Sequence, residues 1–373
     1  MPKETIAFVI HALGSGGAER VVSTLANNLS HKYKVLIITY KKSIPFYYLS
    51  PDITIVYCEE HIPLSQNVFQ ALMVNYKLFI KIKRFLKQEK VKITIGFMTS
   101  ANVLAILASR LNKIPVIISE RSNPYLTKLP FIWRYLRKFV YRHADSLIVQ
   151  TVENKNYFAN FIDYEKIEIV ANPIAQELTS AKDSQIIKKN VVLNVGRFIS
   201  GKAQDQLIKA FAAIDHKDWE LHLIGKGPQE KKYAGLISKL GLDSCIKLIP
   251  PTTDIAVHYN TAKVFAFTSL SEGFPNALIE AMHFGISCIS TDCPTGPSEV
   301  IKHRKNGFLI PMNDQQALQK HLSLLMQSSD LRKRLGRLAE ASVERFEVKA
   351  ISKKWENVIE RAKGQISREI RTG

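Results

Sequence analysis

Short apolar runs rich in β-branched residues alternate along this chain with segments whose apolar positions recur at helical spacing. Thr5–His11, Lys34–Thr39, Thr54–Tyr57, Ile93–Phe97, Pro115–Ser119, Ser146–Gln150 and Lys166–Val170 are predicted strands. Ala18–Leu29, Val68–Gln88, Ala101–Leu111 and Phe131–Arg142 are predicted helices between them. The rhythm pauses in the polar stretch Asn172–Lys189. It resumes with predicted strands at Asn190–Val195, Glu220–Ile224, Lys247–Ile249, Val264–Phe267 and Ile286–Ser290, and after Asp314 the pattern is nearly all helical.

Strands alternating with helices predict parallel sheets covered on both faces, an α/β class. The pause predicts two doubly wound domains, 1–175 and 176–347, with ligands in the crevice at the carboxyl ends of the strands. A length of 373 residues agrees, because it exceeds one ordinary core. Cys58, Cys245, Cys288 and Cys293 show no paired spacing and no grouping with histidine, so a disulfide framework or zinc site is not expected. That usage suits a reducing, cytoplasmic setting. No apolar run reaches the roughly 18–20 residues that span a bilayer. Ile6–Leu13 contains His11 and leads into a glycine loop, which fits a first strand and not a secretion signal.

Charge changes the picture. The net charge is +19. Between Asn75 and Arg142, 15 Lys and Arg face only Glu89 and Glu120, a local excess of +13. Such a segment can meet nucleic acid, anionic lipid or an anionic substrate. No nucleic-acid motif accompanies it. Two helical segments in it, from Tyr76 and from Phe131, interleave aromatics with cations, as at a membrane–water interface. The alternative is a pair of amphipathic helices with their apolar stripes in the core.

Candidate chemistry sits where strands give way to helices. Strand 1 runs into Gly14-Ser15-Gly16-Gly17-Ala18-Glu19-Arg20, where glycines let backbone approach a phosphate at a helix start. The dinucleotide fingerprint fails, because Glu19 occupies its third glycine position. A ligand-free tight turn is the alternative. In the second half, Arg197 and Lys202 straddle a loop after a strand, a spacing that suits two adjacent phosphates or two solvated cations. Gly225-Lys226-Gly227-Pro228 reads as a turn before a helix starting at Pro228.

Ser271-Glu272-Gly273-Phe274-Pro275-Asn276-Ala277-Leu278-Ile279-Glu280 follows another strand and opens a helix, leaving backbone N–H groups without intrahelical partners. The rise per residue puts the two carboxylates on the order of 10 Å apart. A carboxylate repels a diphosphate, so each glutamate suits neutral hydroxyls at the two ends of a nucleotide sugar. A capping glutamate and an unrelated helix-face glutamate are the alternative.

Glu272 and Glu280, with seven residues between them, resemble the E-x7-E signature of family 4 glycosyltransferases. Gly16-Gly17-Ala18-Glu19-Arg20, Gly196-Arg197 with Lys202, Gly296-Pro297-Ser298-Glu299 and Trp355 fall in that family's order, so the resemblance spans essentially the whole chain. It implies a GT-B fold of two Rossmann-like domains, the first binding acceptor and the second nucleotide sugar. The last helix, about 348–373, would cross back to the first domain. It implies a retaining, α-linking transfer with no protein nucleophile. Arg197 and Lys202 would neutralise the diphosphate, with Gly16 and Gly17 approaching it. Glu272 would hold the transferred sugar and Glu280 the ribose. Backbone of Gly273, Phe274, Pro275, Asn276 and Ala277 would contact sugar or phosphate. Arg121 stands where many members have histidine, and Glu19, Arg20, Glu120 and Asn123 are possible first-domain or acceptor contacts.

The segment Ser119-Glu120-Arg121-Ser122-Asn123-Pro124 resembles members that transfer hexosamines or galactose onto lipid-linked oligosaccharides. A plain loop salt bridge of Glu120 is the alternative there. The expected reaction uses a UDP-sugar donor, with its base near Pro250–Asp254. The acceptor is a polyprenyl-diphosphate-linked or surface-polysaccharide glycan at the inner face of the cytoplasmic membrane. No Asp-x-Asp occurs, so no divalent metal or other cofactor is expected. A nucleotide-sugar epimerase on the same fold and a basic lipid- or nucleic-acid-binding module are the competing classes.

Overall fold

The apolar runs become the inner strands of two parallel sheets in a computed structural model. It describes residues 2–63 and 65–372, with side chains through 364, so the two end positions of the expected first domain lie outside it. The chain divides into one unit of Met1–Ala175 with Val348–Gly373 and another of Gln176–Glu347.

In the first unit the order is β1 (Thr5–Ile10), α1 (Gly17–Leu29), β2 (Lys34–Lys41), β3 (Thr54–Glu59), α2 (Val68–Gln88), β4 (Ile93–Phe97), α3 (Thr99–Leu111), β5 (Val116–Ser119), α4 (Phe131–Val140), β6 (Ser146–Val149), α5 (Val152–Phe158) and β7 (Ile167–Ile169). The strands form a parallel sheet in the order β3-β2-β1-β4-β5-β6-β7. Every residue of β1, β4 and β5 is buried, as strands covered on both faces must be. The edge strand β3 is mostly exposed or half-buried.

The second unit runs α6 (Gln176–Ser180), β8 (Lys189–Val195), α7 (Gln204–Ala212), β9 (Glu220–Ile224), α8 (Glu230–Lys239), β10 (Ile246–Ile249), α9 (Ile255–Thr261), β11 (Ala262–Phe267), α10 (Asn276–His283), β12 (Ser287–Thr291), α11 (Pro297–Val300), β13 (Phe308–Ile310), α12 (Gln315–Gln327) and α13 (Ser329–Val343). Its sheet order is β10-β9-β8-β11-β12-β13, again parallel. Strand β13 was not expected from the sequence. The helix α8 begins at Glu230 and not at Pro228, after a turn through Gly227.

Chain order reverses between β1 and β4 in one sheet and between β8 and β11 in the other. Ligands of doubly wound sheets sit at such switch points. The loops leaving β1, β8 and β11 carry the glycine stretch, Arg197 with Lys202, and Ser271–Asn276.

The last helix, α14 (Val348–Thr372), belongs to the first unit. Ile351, Trp355, Val358, Ile359 and Ala362 form a buried stripe at helical spacing. Its polar edge pairs Glu360 with the Tyr33 hydroxyl at 2.7 Å, Arg361 with Glu168 at 2.8 Å and Lys363 with Glu4. The Trp355 indole stacks on Phe97 with centroids 5.7 Å apart. Trp355→Ala is therefore expected to cost about 3–5 kcal/mol by emptying a packed site. Denaturant unfolding checks it, and a loss below about 1 kcal/mol contradicts the packing.

Candidate active site

Gly196-Arg197-Phe198 leaves β8 on a loop with little freedom. Phe198 is buried and meets Tyr233 edge-on at 5.6 Å. Its N–H donates to the Lys226 carbonyl at 3.0 Å, and the Gly196 N–H donates to the Ile224 carbonyl at 3.0 Å. Gln204, fully buried, donates to the Arg197 carbonyl at 3.2 Å and accepts from the Tyr233 hydroxyl at 3.0 Å. The backbone at Arg197 is thus braced from three sides while its side chain is exposed, with no ion pair among the described residues.

Gly225 and Gly227, read from sequence as a plain turn, prove to seat this loop. A Cβ at Gly225 would lie 2.0 Å from the Gly196 carbonyl oxygen, and one at Gly227 would lie 2.4 Å from that of Phe198. The signal was the repeated glycine after a strand, but backbone-to-backbone approach of two loops is not visible in one segment alone.

Lys202 closes a short 3₁₀ turn before α7. Its carbonyl accepts from the Thr268 hydroxyl at 2.9 Å, and the Gly201 carbonyl accepts from the Leu270 N–H at 2.8 Å. These bonds tie the β8 loop to the β11 loop. The Lys202 ammonium forms an ion pair with Glu272, and both side chains are largely buried. It also lies 5.4 Å from the Phe267 ring centroid. The structure therefore brings together the expected phosphate cation and the expected sugar carboxylate, which sequence treated as separate.

The Ser271–Glu280 stretch is fixed by the loop after β12. The Thr295 hydroxyl donates to the Glu272 carbonyl. Gly296 has φ +113°, a conformation that favours glycine, and a Cβ there would lie 2.5 Å from Pro275 Cδ. Phe274 is buried and meets Phe346 edge-on at 5.8 Å, so its side chain anchors the loop. Pro275 is the residue before α10 and not within it. The Asn276 N–H, expected among the ligand-facing groups, already donates to the Phe274 carbonyl at 3.0 Å. In α10, Glu280 is buried and accepts from the Tyr259 hydroxyl at 3.0 Å. Tyr259 was not anticipated. Burial, with the Glu272 carboxylate, pushes the Cys293 thiol up to about 12, so it stays protonated.

Two surface depressions, one lined by Asp215 to Glu220 and one by His222, Lys247 and His258, lie at the amino ends of these strands. Neither includes any residue of the set above.

In the first unit, Gly16 caps α1 and Gly17 begins it. The Glu19 carboxylate folds back so far that a Cβ on Gly16 would lie 2.2 Å from its Oε2. Arg20 lies 5.8 Å from the Tyr47 ring centroid, and the Tyr47 hydroxyl donates to the Ser15 carbonyl at 3.0 Å.

At the end of β5, Glu120 is buried and accepts from the Thr99 hydroxyl at 2.8 Å and from the Tyr141 hydroxyl. Burial raises its carboxyl above the usual carboxylate range despite those bonds. It makes no loop salt bridge among the described residues. Arg121 is also buried and donates to the Asn172 side chain at 2.7 Å and the Val170 carbonyl at 3.3 Å. Asn123 closes its own loop, accepting from the Tyr125 N–H at 3.0 Å.

The basic segment is only partly a surface. Arg121 and Arg137 are buried, Arg137 with its guanidinium on the Tyr157 hydroxyl at 2.6 Å. Part of the aromatic content is nonetheless outward. Phe131, Tyr135 and Phe139 line one exposed stripe of α4, with Phe131 70% exposed. Phe69, Leu72, Met73, Tyr76 and Ile80 line another on α2, opposite its buried Leu78, Ile82 and Leu86. Among the described residues no helix is long and apolar enough to cross a membrane, and no cluster of three or more His, Cys, Asp or Glu suits a metal ion. The four cysteines are free.

Family models cover both units: Glycosyltransferase Family 4 over residues 15–178 and Glycosyl transferases group 1 over residues 177–342. The chain is 30% identical over 361 residues to a Campylobacter jejuni GalNAc-alpha-(1->4)-GalNAc-alpha-(1->3)-diNAcBac-PP-undecaprenol alpha-1,4-N-acetyl-D-galactosaminyltransferase, covering 96% of this chain and 99% of that one. A second C. jejuni protein, N-acetylgalactosamine-N,N'-diacetylbacillosaminyl-diphospho-undecaprenol 4-alpha-N-acetylgalactosaminyltransferase, is 27% identical over 92% of this chain and 96% of its own. Among solved structures, HepE from Anabaena in complex with UDP superposes with a TM-score of 0.80 at 18% identity, covering 96% of this chain and 100% of that one. The two Rossmann-like sheets are therefore a GT-B fold, and the chain belongs to the family 4 glycosyltransferases.

Proposed function

We propose that this enzyme transfers an N-acetylhexosamine or galactose from a UDP-sugar to a polyprenyl-diphosphate-linked or surface-polysaccharide glycan, forming an α-linkage with retention. The observation that carries this reading is the Lys202–Glu272 pair beside Arg197, on loops leaving the adjacent strands β8 and β11. Before the donor arrives, each charge of the pair offsets the other. The donor diphosphate then takes the Lys202 ammonium and the Arg197 fork, while Glu272 accepts from sugar hydroxyls. Glu280 accepts from ribose hydroxyls, its position set by Tyr259. The Ala277 N–H, in the first turn of α10, adds a donor for sugar or phosphate. The departing phosphate assists same-face attack, so no protein nucleophile is required. The relatives named for transfer of N-acetylgalactosamine onto diphospho-undecaprenol glycans support this acceptor class, and HepE's complex with UDP supports the base. Acceptor binding falls to the first unit.

A panel of UDP- and GDP-sugars, with and without a polyprenyl-diphosphate-linked GalNAc acceptor, tests this. Turnover is expected with a UDP-N-acetylhexosamine or UDP-galactose, only with acceptor, and unchanged in a chelator. Isomerisation of the donor without acceptor points instead to an epimerase. Loss of activity in chelator, restored by Mg²⁺, contradicts the metal-free reading.

The protein is further read as peripheral on the inner face of the cytoplasmic membrane. The exposed aromatic stripes of α4 and α2, flanked by Lys77, Arg134, Lys138 and Arg142, support this. Each cation near an anionic leaflet contributes about 1 kcal/mol. Replacing Arg134, Lys138 and Arg142 by glutamine is therefore expected to lower partitioning onto phosphatidylglycerol-containing vesicles by about 100-fold. Equal partitioning of the native and variant proteins contradicts it.

A further inference from the structure

Arg121 is a buried cation with an unfinished set of hydrogen bonds. Its Nη1 is committed to Asn172 and the Val170 carbonyl. Its Nε and Nη2 have no partner among the described residues. Those two N–H groups lie on one side of the guanidinium and form the side-on fork that grips a carboxylate or phosphate with two parallel bonds. No carboxylate fills it among the described residues. Glu120, its neighbour, directs Oε1 to Thr99 and Tyr141. Uncompensated burial holds the Arg121 guanidinium down at about 9, with no charge interaction offsetting it. Contacts with Phe97 and Trp355, at 5.3 and 5.5 Å from the ring centroids, stabilise the cation's face but leave its edge unsatisfied.

The surroundings favour an anion. Arg121 follows β5, Gln150 follows β6 and Asn172 follows β7, three neighbouring strands at one sheet edge. Buried polar atoms without partners among the described residues occur on these strands' ends, on α5 after β6 and on α14: Ser119 Oγ, Asn154 Nδ2, Trp355 Nε1 and Ser352 Oγ can donate, and Gln150 Oε1 and Asn154 Oδ1 can accept. Buried polar atoms rarely go unpaired, and a buried cation with two free N–H groups, beside a Trp355 indole N–H that is also unpaired, lacks an acceptor of negative charge.

We propose that Arg121 anchors a phosphoryl-binding site in the first unit, its Nε–Nη2 fork taking one oxyanion edge of a phosphate or diphosphate. The chemistry is common to the acceptor's lipid diphosphate and the donor's diphosphate, and naming these two sources rests on the transferase reading. The site lies at the carboxyl edge of the sheet that carries the glycine loop, with β4 between β1 and β5.

The test first removes the cations of the second unit. In protein carrying Arg197→Ala and Lys202→Ala, inorganic pyrophosphate is titrated by calorimetry, with and without Arg121→Gln or Arg121→Lys. One residual pyrophosphate site is expected, weakened on the order of 10-fold or more by Arg121→Gln. Arg121→Lys, which keeps the charge but not the fork, is expected to weaken it too, and serves where the glutamine variant does not fold. Absence of that site, or a site indifferent to both variants, overturns the proposal: water then fills the fork, and Arg121 only holds α14. This arm needs no transferase activity, so its failure is separate from a failure of the functional reading.

In the otherwise native protein, the same variants distinguish the sources. A KM rise confined to the diphosphate-linked acceptor, absent for the same glycan on a methyl aglycone, assigns the lipid diphosphate. A weaker Kd for UDP, absent for uridine, assigns the donor. A change in neither, in active enzyme, overturns the proposal.

Discussion

Lys202→Ala is expected to lower kcat/KM for the donor by on the order of 100- to 1000-fold, and UDP affinity by a similar factor. The size follows from the pair it breaks. Lys202 and Glu272 are largely buried, with side-chain exposures of 18% and 11%, so their charges are poorly screened by solvent. Truncating one partner of such a pair costs about 2–5 kcal/mol, much of it from the charge left behind. Here that charge is a carboxylate beside the place proposed for a diphosphate. The variant thus loses an attraction and gains a repulsion.

Arg197→Ala removes an exposed cation and should cost less. Lys202→Met with Glu272→Gln removes both charges, and should restore part of the UDP affinity while leaving sugar transfer impaired. Calorimetry with UDP measures both. A Kd for Lys202→Ala within about threefold of native, in folded protein, places the diphosphate away from Lys202.

The parts legible from sequence are those dictated by local pattern. Strands β4 and β9 and helix α2 match their expected bounds because buried parallel strands are apolar runs with sharp polar ends, and α2 keeps helical periodicity across 21 residues. Strand β13 is three residues on a sheet edge, too short to show a period. The polar stretch expected as a boundary holds α6, whose single buried residue, Leu178, makes no stripe.

In the candidate site, residue types with one obvious use were readable: glycines at strand ends, cations near them, paired glutamates. What required the fold was partnership across the sequence. Lys202 and Glu272 are 70 residues apart and meet because β8 and β11 are neighbours. Tyr259, which positions Glu280, lies on α9 before β11 and carries no motif. Arg121 was legible as the residue where many members have histidine, but not as a buried one: the Phe97 and Trp355 rings, stacked on each other, both lie against it, and Trp355 comes 234 positions later. Charge counting also overstated the basic surface, because a sequence does not show which arginines are inside.

Gly225→Ala tests the least conspicuous part of this architecture, and both its effects should be large. The added methyl would sit 2.0 Å from the Gly196 carbonyl oxygen, 3.0 Å from its carbon and 2.9 Å from Phe198 Cε1. Two of these are backbone atoms of a loop held by the Gly196–Ile224 and Phe198–Lys226 hydrogen bonds, so neither can turn aside as a side-chain tip does. The β8 loop must move away from the β9 loop. Overpacking of this kind costs about 1–3 kcal/mol, and each hydrogen bond lost on the way adds about 1 kcal/mol. The second unit should therefore be destabilised by about 3 kcal/mol. Arg197 rides on the displaced backbone, and a shift of about 1 Å in a positioning group can cost on the order of 100-fold in rate. UDP affinity and turnover should fall together with the unfolding midpoint. Gly201→Ala is the matched control, because a Cβ there meets nothing within 4 Å. It should leave stability within about 0.5 kcal/mol of native and turnover unchanged. Equal behaviour of the two variants would show that the glycines are exchangeable loop residues, and that the close approach of the β8 and β9 loops does not set the position of Arg197.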